Sequence, residues 1–309
     1  MRTISYSAPA KVILSGEHAV VYGKPGLVSA INLRLKFSVW KGEKKVTEQA
    51  INHILSVVKK FLVKESIKFT DKNFEYRVES EIPIGRGLGS SAAFAVASTA
   101  ALLKYYSDRE FSKEIINNLA YSGEKYFHKN PSGVDVSASC FGGLIFYRKE
   151  FEFLKQISSL NFKIPQKIEN NLYLIDCGQP KESTAEMVAS VGKQYNTKTL
   201  LTEEILSDIE KTTKRMTVSL IKDDVEFFKK CLIDNQVYLE MLGVVSKSTK
   251  KLLEDLSDLG VGKITGAGGL KTDSGFILFY SNRKKELEGF LKKNRLNYYR
   301  FQQDFQGLI

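Results

Sequence analysis

Apolar and polar side chains alternate through Phe74-Glu75-Tyr76-Arg77-Val78-Glu79, the two-residue period of a half-buried strand. Beyond the next turn the period disappears. Residues 92–106 are rich in Ala and Leu and contain neither Gly nor Pro, which predicts a buried helix. Upstream, residues 4–14 read as a strand-like start interrupted by Pro9, and residues 27–40 as strands. Ile51, Ile54, Leu55, Val58 and Leu62 recur at helical spacing and predict a helix over about residues 47–64. Ile115, Leu119 and Tyr126 predict another over about 112–128, followed by a turn through Lys129-Asn130-Pro131-Ser132-Gly133. Residues 149–170 are polar and read as irregular. After them come a strand at Leu172-Tyr173-Leu174-Ile175, three helices over 202–259 broken near Lys222 and Gly243, strands at 261–264 and 276–279, a helix over 283–294 and a strand over 297–302. Strands and helices mix without regular alternation, so the expected class is α+β. The change of texture puts a domain boundary at about 150–170, giving units of residues 1–165 and 166–309.

Between the strand at 74–79 and the helix at 92–106 stands Pro83-Ile84-Gly85-Arg86-Gly87-Leu88-Gly89-Ser90-Ser91-Ala92. Alternate glycines let an anion approach the backbone, and the first N–H groups of the following helix have no internal partner and carry partial positive charge. A strand, glycine loop and helix in this order suit a phosphate. Two nucleotide signatures are excluded: no Lys-Ser/Thr follows the second glycine, and Ser90 stands where a third glycine of G-x-G-x-x-G belongs. Either serine hydroxyl can cap the helix or reach a phosphate or its metal. A second glycine run, Thr265-Gly266-Ala267-Gly268-Gly269, follows the strand at 261–264. Glu124, near the end of its helix, and Asp135, just past the turn, are two carboxylates that suit a divalent metal and a base when placed beside a phosphate loop.

Composition narrows the class. The chain of 309 residues is 43% hydrophobic and 26% charged, a globular mixture. No apolar run reaches the roughly 18 residues that span a membrane, and Met1-Arg2-Thr3-Ile4-Ser5 lacks a signal-peptide layout, so a cytoplasmic protein without a membrane partner is expected. Cys140, Cys177 and Cys231 are odd in number and widely spaced, which predicts core thiols rather than a disulfide framework or zinc site. The net charge of +11 fits either an enzyme of anionic substrates or a nucleic-acid binder. Because acidic residues are interspersed among the lysines and no reading motif is present, no nucleic acid is expected. A homodimer is left open.

With these segments quoted, the chain resembles the galactokinase, homoserine kinase, mevalonate kinase and phosphomevalonate kinase superfamily, the GHMP kinases. The resemblance rests on three segments in order: Pro9-Ala10-Lys11-Val12-Ile13-Leu14-Ser15-Gly16-Glu17-His18-Ala19-Val20-Val21-Tyr22-Gly23, the loop from Pro83 to Ala93, and the run from Thr265 to Gly269. The first, and the stretch ending Ser132-Gly133-Val134-Asp135, are most similar to the mevalonate-phosphorylating members. The resemblance implies a two-domain α+β fold, with a left-handed β-α-β unit in the N-terminal domain and a ferredoxin-like C-terminal domain. It implies transfer of a phosphoryl group from ATP, with Mg²⁺, to the C5 hydroxyl of mevalonate. By the same resemblance Asp135 and Lys11 are catalytic. Pro83, Gly85, Gly87, Leu88, Gly89, Ser90, Ser91 and Ala92, with Gly266 and Gly268, hold the nucleotide; Glu124 and Ser90 or Ser91 hold the metal; Glu17, His18, Lys181 and Thr184 surround the acceptor. Two features depart from the pattern. Gly269 gives way to Leu270-Lys271-Thr272-Asp273-Ser274-Gly275 in place of a longer glycine run, and Lys181 lies one position further from Thr184 than the basic residue of the family. The alternatives are a phosphomevalonate kinase or a mevalonate 3-kinase, and, from another class, a nucleic-acid-binding protein. Retention of Lys11, Glu124 and Asp135 argues against the last, which has no use for a base beside a metal site.

Overall fold

The computed structural model describes residues 3–43, 46–127, 132–151 and 154–309. The expected turn at Lys129, Asn130 and Pro131 lies outside the described residues. The chain opens with β1 (Ile4–Ser15), a 3-10 turn (Ala19–Tyr22) and β2 (Gly26–Lys41), then α1 (Gln49–Lys64), β3 (Phe74–Ser80), α2 (Ser90–Ser107), α3 (Lys113–Glu124) and α4 (Val134–Phe141). A hairpin of β4 (Leu144–Phe151) and β5 (Leu154–Leu160) and the short α5 (Gln166–Glu169) lead to β6 (Leu172–Gly178). Four helices follow: α6 (Thr184–Thr197), α7 (Thr199–Ile221), α8 (Val225–Met241) and α9 (Lys247–Asp255). The chain closes with β7 (Val261–Thr265), β8 (Gly275–Tyr280), α10 (Lys284–Lys293) and β9 (Tyr298–Arg300). No helix among the described residues is long and apolar enough to cross a membrane.

Among the described residues the strands form two antiparallel sheets. In the first, β2 pairs with β1 along one edge; along the other it pairs with β4 through Gly26 to Ser29 and with β3 through Leu35 to Lys41. The second has the order β7-β8-β6-β9, the order of a split β-α-β pair, with α6 to α9 joining β6 to β7 and α10 joining β8 to β9. The expected α+β class is observed.

The outer edge of β1 is the seam on which the site is built. Its outward N–H groups find acceptors from three distant parts of the chain: Ser7 N–H donates to Ile309 O at 2.7 Å, Lys11 N–H to Leu88 O at 3.0 Å and Ile13 N–H to Thr265 Oγ1 at 3.0 Å. Pro9, which has no N–H, occupies the outward position between Ser7 and Lys11 and so leaves no donor unmatched. A register shift after Pro9 absorbs the irregularity, and the strand continues where an interruption was expected.

α2 is buried on nearly every side, which is why its sequence lacks a polar face. The apolar core is continuous across both sheets: Leu14 and Phe37 share one cluster with Met216 and Phe228 of the long helices and Phe276 of β8.

Three segments differ from expectation. Residues 149–170 are not irregular, because they hold the end of β4 together with β5 and α5; β5 is an exposed edge strand whose order comes from pairing with β4 rather than from its own hydrophobicity. The helix expected to reach 128 ends at Glu124. α6 was not expected, although Ser183 and Glu186 form a reciprocal capping box at its start, a signal readable in sequence.

Candidate active site

A cleft of about 700 Å³ lies where the two sheets meet. One wall is the glycine loop between β3 and α2, from Pro83 to Ser91, backed by Leu35, Val78, Phe94 and Phe127; the facing wall comprises residues 179–184, Thr265, Ala267 and Gly268. Phe94 and Phe127 meet edge to face at 6.0 Å.

Gly89 is the N-cap of α2, in the left-handed region at φ 77°, and no side chain caps the helix. The hydroxyls of Ser90 and Ser91, both in the first turn, are therefore not used as caps. Any side chain at 89 would be strained, and its Cβ would stand 2.9 Å from Lys11 Cγ; glycine lets the loop close over the lysine. Leu88 is buried and anchors the loop through its carbonyl to Lys11 N–H. Ala92 is fully buried behind the loop, and Gly266 packs against Gly87; neither lines the cleft, whereas Pro83, Gly85, Gly87, Leu88, Gly89, Ser90, Ser91 and Gly268 do.

At the floor, Lys11 Nζ lies 3.1 Å from Asp135 Oδ2; the lysine is sealed and the aspartate is 29% exposed. Asp135 sits in the first turn of α4, which starts from Gly133 at φ 90°. Glu124, the last residue of α3, is buried and has an Oε2 without a partner. Burial first, and the charge of Asp135 second, push its carboxyl up to about 8, opposed by Lys11 and by a hydrogen bond with Ser91. A carboxylate so placed is short of positive charge. One unpartnered carboxylate oxygen on Glu124 with a serine hydroxyl beside it makes a hard oxygen pair that fits Mg²⁺. No group of three or more His, Cys, Asp or Glu able to hold a metal ion by itself exists among the described residues.

Lys181 and Thr184 line the facing wall. Glu17 and His18 lie behind the cleft rather than on its surface. Glu17 is 1% exposed and ion-paired with the fully buried Lys263, whose ammonium also donates to Ile13 O at 3.2 Å. Burial raises the Glu17 carboxyl against the pull of Lys263, and burial likewise lowers the Lys263 ammonium. His18 is pushed down to about 4 by burial, with the Ala267 carbonyl opposing. It is therefore neutral near pH 7, and because a carbonyl only accepts, the ring donates from Nε2 to Ala267 O at 3.0 Å. These two residues tie the first glycine-bearing segment to the third. Lys263 was not anticipated; the readable signal is a lysine within a strand that is buried at Ile264 and Thr265.

An anion loop at a helix start, two carboxylates and a buried lysine on this pair of sheets define a small-molecule phosphotransferase. Residues 52–143 match the family described as the GHMP kinases N terminal domain. Mevalonate kinase of Archaeoglobus fulgidus is 36% identical over 85% of this chain and 88% of its own, and that of Pyrococcus abyssi is 32% identical over 87% of each. The crystal structure of Methanococcus jannaschii mevalonate kinase superposes with a TM-score of 0.80 at 24% identity, covering 98% of both chains. The chain belongs to the mevalonate kinase family of GHMP kinases.

Proposed function

We propose that this kinase transfers the γ-phosphoryl group of ATP to the C5 hydroxyl of mevalonate, releasing 5-phosphomevalonate and ADP. The observation that carries the reading is the Lys11–Asp135 pair, whose carboxylate opens into the cleft beside the glycine loop. The loop N–H groups and the first turn of α2 bind the polyphosphate, and the apolar wall of Leu35, Val78, Phe94 and Phe127 takes the base. Glu124 and Ser91, with Ser90 adjacent, would hold Mg²⁺, which when bound neutralises phosphate charge. Asp135 orients the acceptor hydroxyl and receives its proton, while Lys11 keeps the carboxylate in place and stabilises the charge on the attacking oxygen. Lys181 and Thr184 face the acceptor from the opposite wall. Phosphoryl transfer asks for little covalent chemistry from the protein, so this positioning carries the rate. The test is ATP consumption against mevalonate, phosphomevalonate, homoserine and galactose, with the phosphorylated position assigned by NMR. Turnover confined to mevalonate with phosphate on C5 is expected; phosphate on C3, or turnover only with phosphomevalonate, would overturn the reading.

A further inference from the structure

Three consecutive residues of the glycine loop touch the second half of the chain. A Cβ on Gly85 would stand 2.8 Å from Gln179 Nε2, and one on Gly87 would stand 3.2 Å from Thr265 O. Between them Arg86 Nη1 donates to Asp176 Oδ2 near the end of β6, and the Arg86 carbonyl lies 2.8 Å from where a Cβ of Gly275 would be. Asp176 is 8% exposed and its other oxygen accepts Gly178 N–H at 3.0 Å, so both oxygens of the carboxylate are held. The loop belongs to the first sheet's connections and Asp176 to the second sheet. The ion pair therefore joins the centre of the loop to the second sheet, while Gly85 and Gly87 on either side of the arginine line the cleft.

We infer that Arg86 and Asp176 are a positioning pair that holds the nucleotide loop in its anion-binding shape by fixing it to β6. The arginine acts through the loop and does not itself read phosphate: leaving Asp176 would strand a mostly buried carboxylate with a single backbone donor. Gly85 and Gly87 flank the pair at φ 72° and 87°, where a side chain is strained, and Gly87 also lies close to the Thr265 carbonyl. The inference rests on the loop being the ATP site.

The test is a double-mutant cycle on Mg·ADP binding, measured by calorimetry, with thermal melts confirming that each variant folds. Asp176→Asn and Arg86→Gln should each weaken Mg·ADP about 10-fold, within the range of coupling between contacting groups, and the double variant should be no weaker than either single one. The KM for mevalonate should stay near wild type in all three, a split that general destabilisation would not produce. If Arg86→Gln weakens binding while Asp176→Asn does not, the arginine reads phosphate itself and the pair is not the unit. Additive losses, or folded variants with unchanged affinity, would equally overturn the inference. Wild-type protein that binds no Mg·ADP would overturn the ATP site with it; wild-type binding with indifferent variants overturns the pair alone.

Discussion

Two lysine–carboxylate pairs stand near the meeting of the sheets, and they differ in one respect that decides their chemistry. Lys11–Asp135 joins a sealed ammonium to a carboxylate that is 29% exposed to the cleft, whereas Lys263–Glu17 is closed at both ends, at 0% and 1%. An open carboxylate can meet a substrate hydroxyl and exchange its proton. A closed one can only hold structure, and it does so under strain: burial disfavours both of its charges, so each depends on the other. The lesson is that a Lys–carboxylate pair in a kinase motif is not catalytic by composition. Access to the cleft is what the role proposed for Lys11–Asp135 rests on.

The strongest way to break this comparison is Asp135→Asn, which keeps shape but cannot receive the proton. Its kcat should fall by about 10²–10⁴ with Mg·ADP affinity nearly unchanged; steady-state kinetics beside direct binding checks it, and a small loss would move the base elsewhere. Next in size is Lys263→Met, which strands Glu17 and should cost about 3–5 kcal/mol in denaturant unfolding. The double variant Glu17→Gln/Lys263→Met should recover most of that loss, because no buried charge is left unpaired. If the single variant keeps full stability, the closed pair is not the structural member of the two.

Glu124→Gln sharpens the open side. It should raise the Mg²⁺ concentration for half-maximal activity by about 10-fold, and excess Mg²⁺ should restore part of the rate, since mass action offsets a weakened ligand. Asp135→Asn should gain nothing from the same titration; the reverse pattern would exchange the two assignments. The smallest effect is on stability against pH. Glu124 is raised from its ordinary value of 4.5 to about 8, so the metal-free native state holds a proton that the unfolded chain has released. That stabilisation is complete below the ordinary value and is lost as pH rises through the raised one. Bound Mg²⁺ requires the ionised carboxylate, so it should raise the melting temperature more at about pH 9 than at about pH 6. Glu124→Gln should flatten the metal-free slope over that window.

Much of this molecule is legible in one dimension. The glycine loop, the strand before it and the helix after it are set by local period and backbone freedom, which act over a few residues. Lys11 and Asp135 stand in short contiguous segments, and Glu124 lies eleven residues before Asp135, so the sequence supplies all three as candidates. What the chain alone determined was thus its α+β character, its glycine loop between strand and helix, and its inventory of chemical groups. Tertiary structure decided which of those groups face the cleft. Glu17 finds Lys263 across 246 positions, and Arg86 finds Asp176 across 90; nothing local marks either partner. β5 likewise draws its order from β4 rather than from its own pattern. The reason is that exposure and partnership are properties of the assembled seam along β1, where Leu88, Thr265 and Ile309 converge on alternate residues of one strand, and no local period records which distant donors and acceptors will meet there.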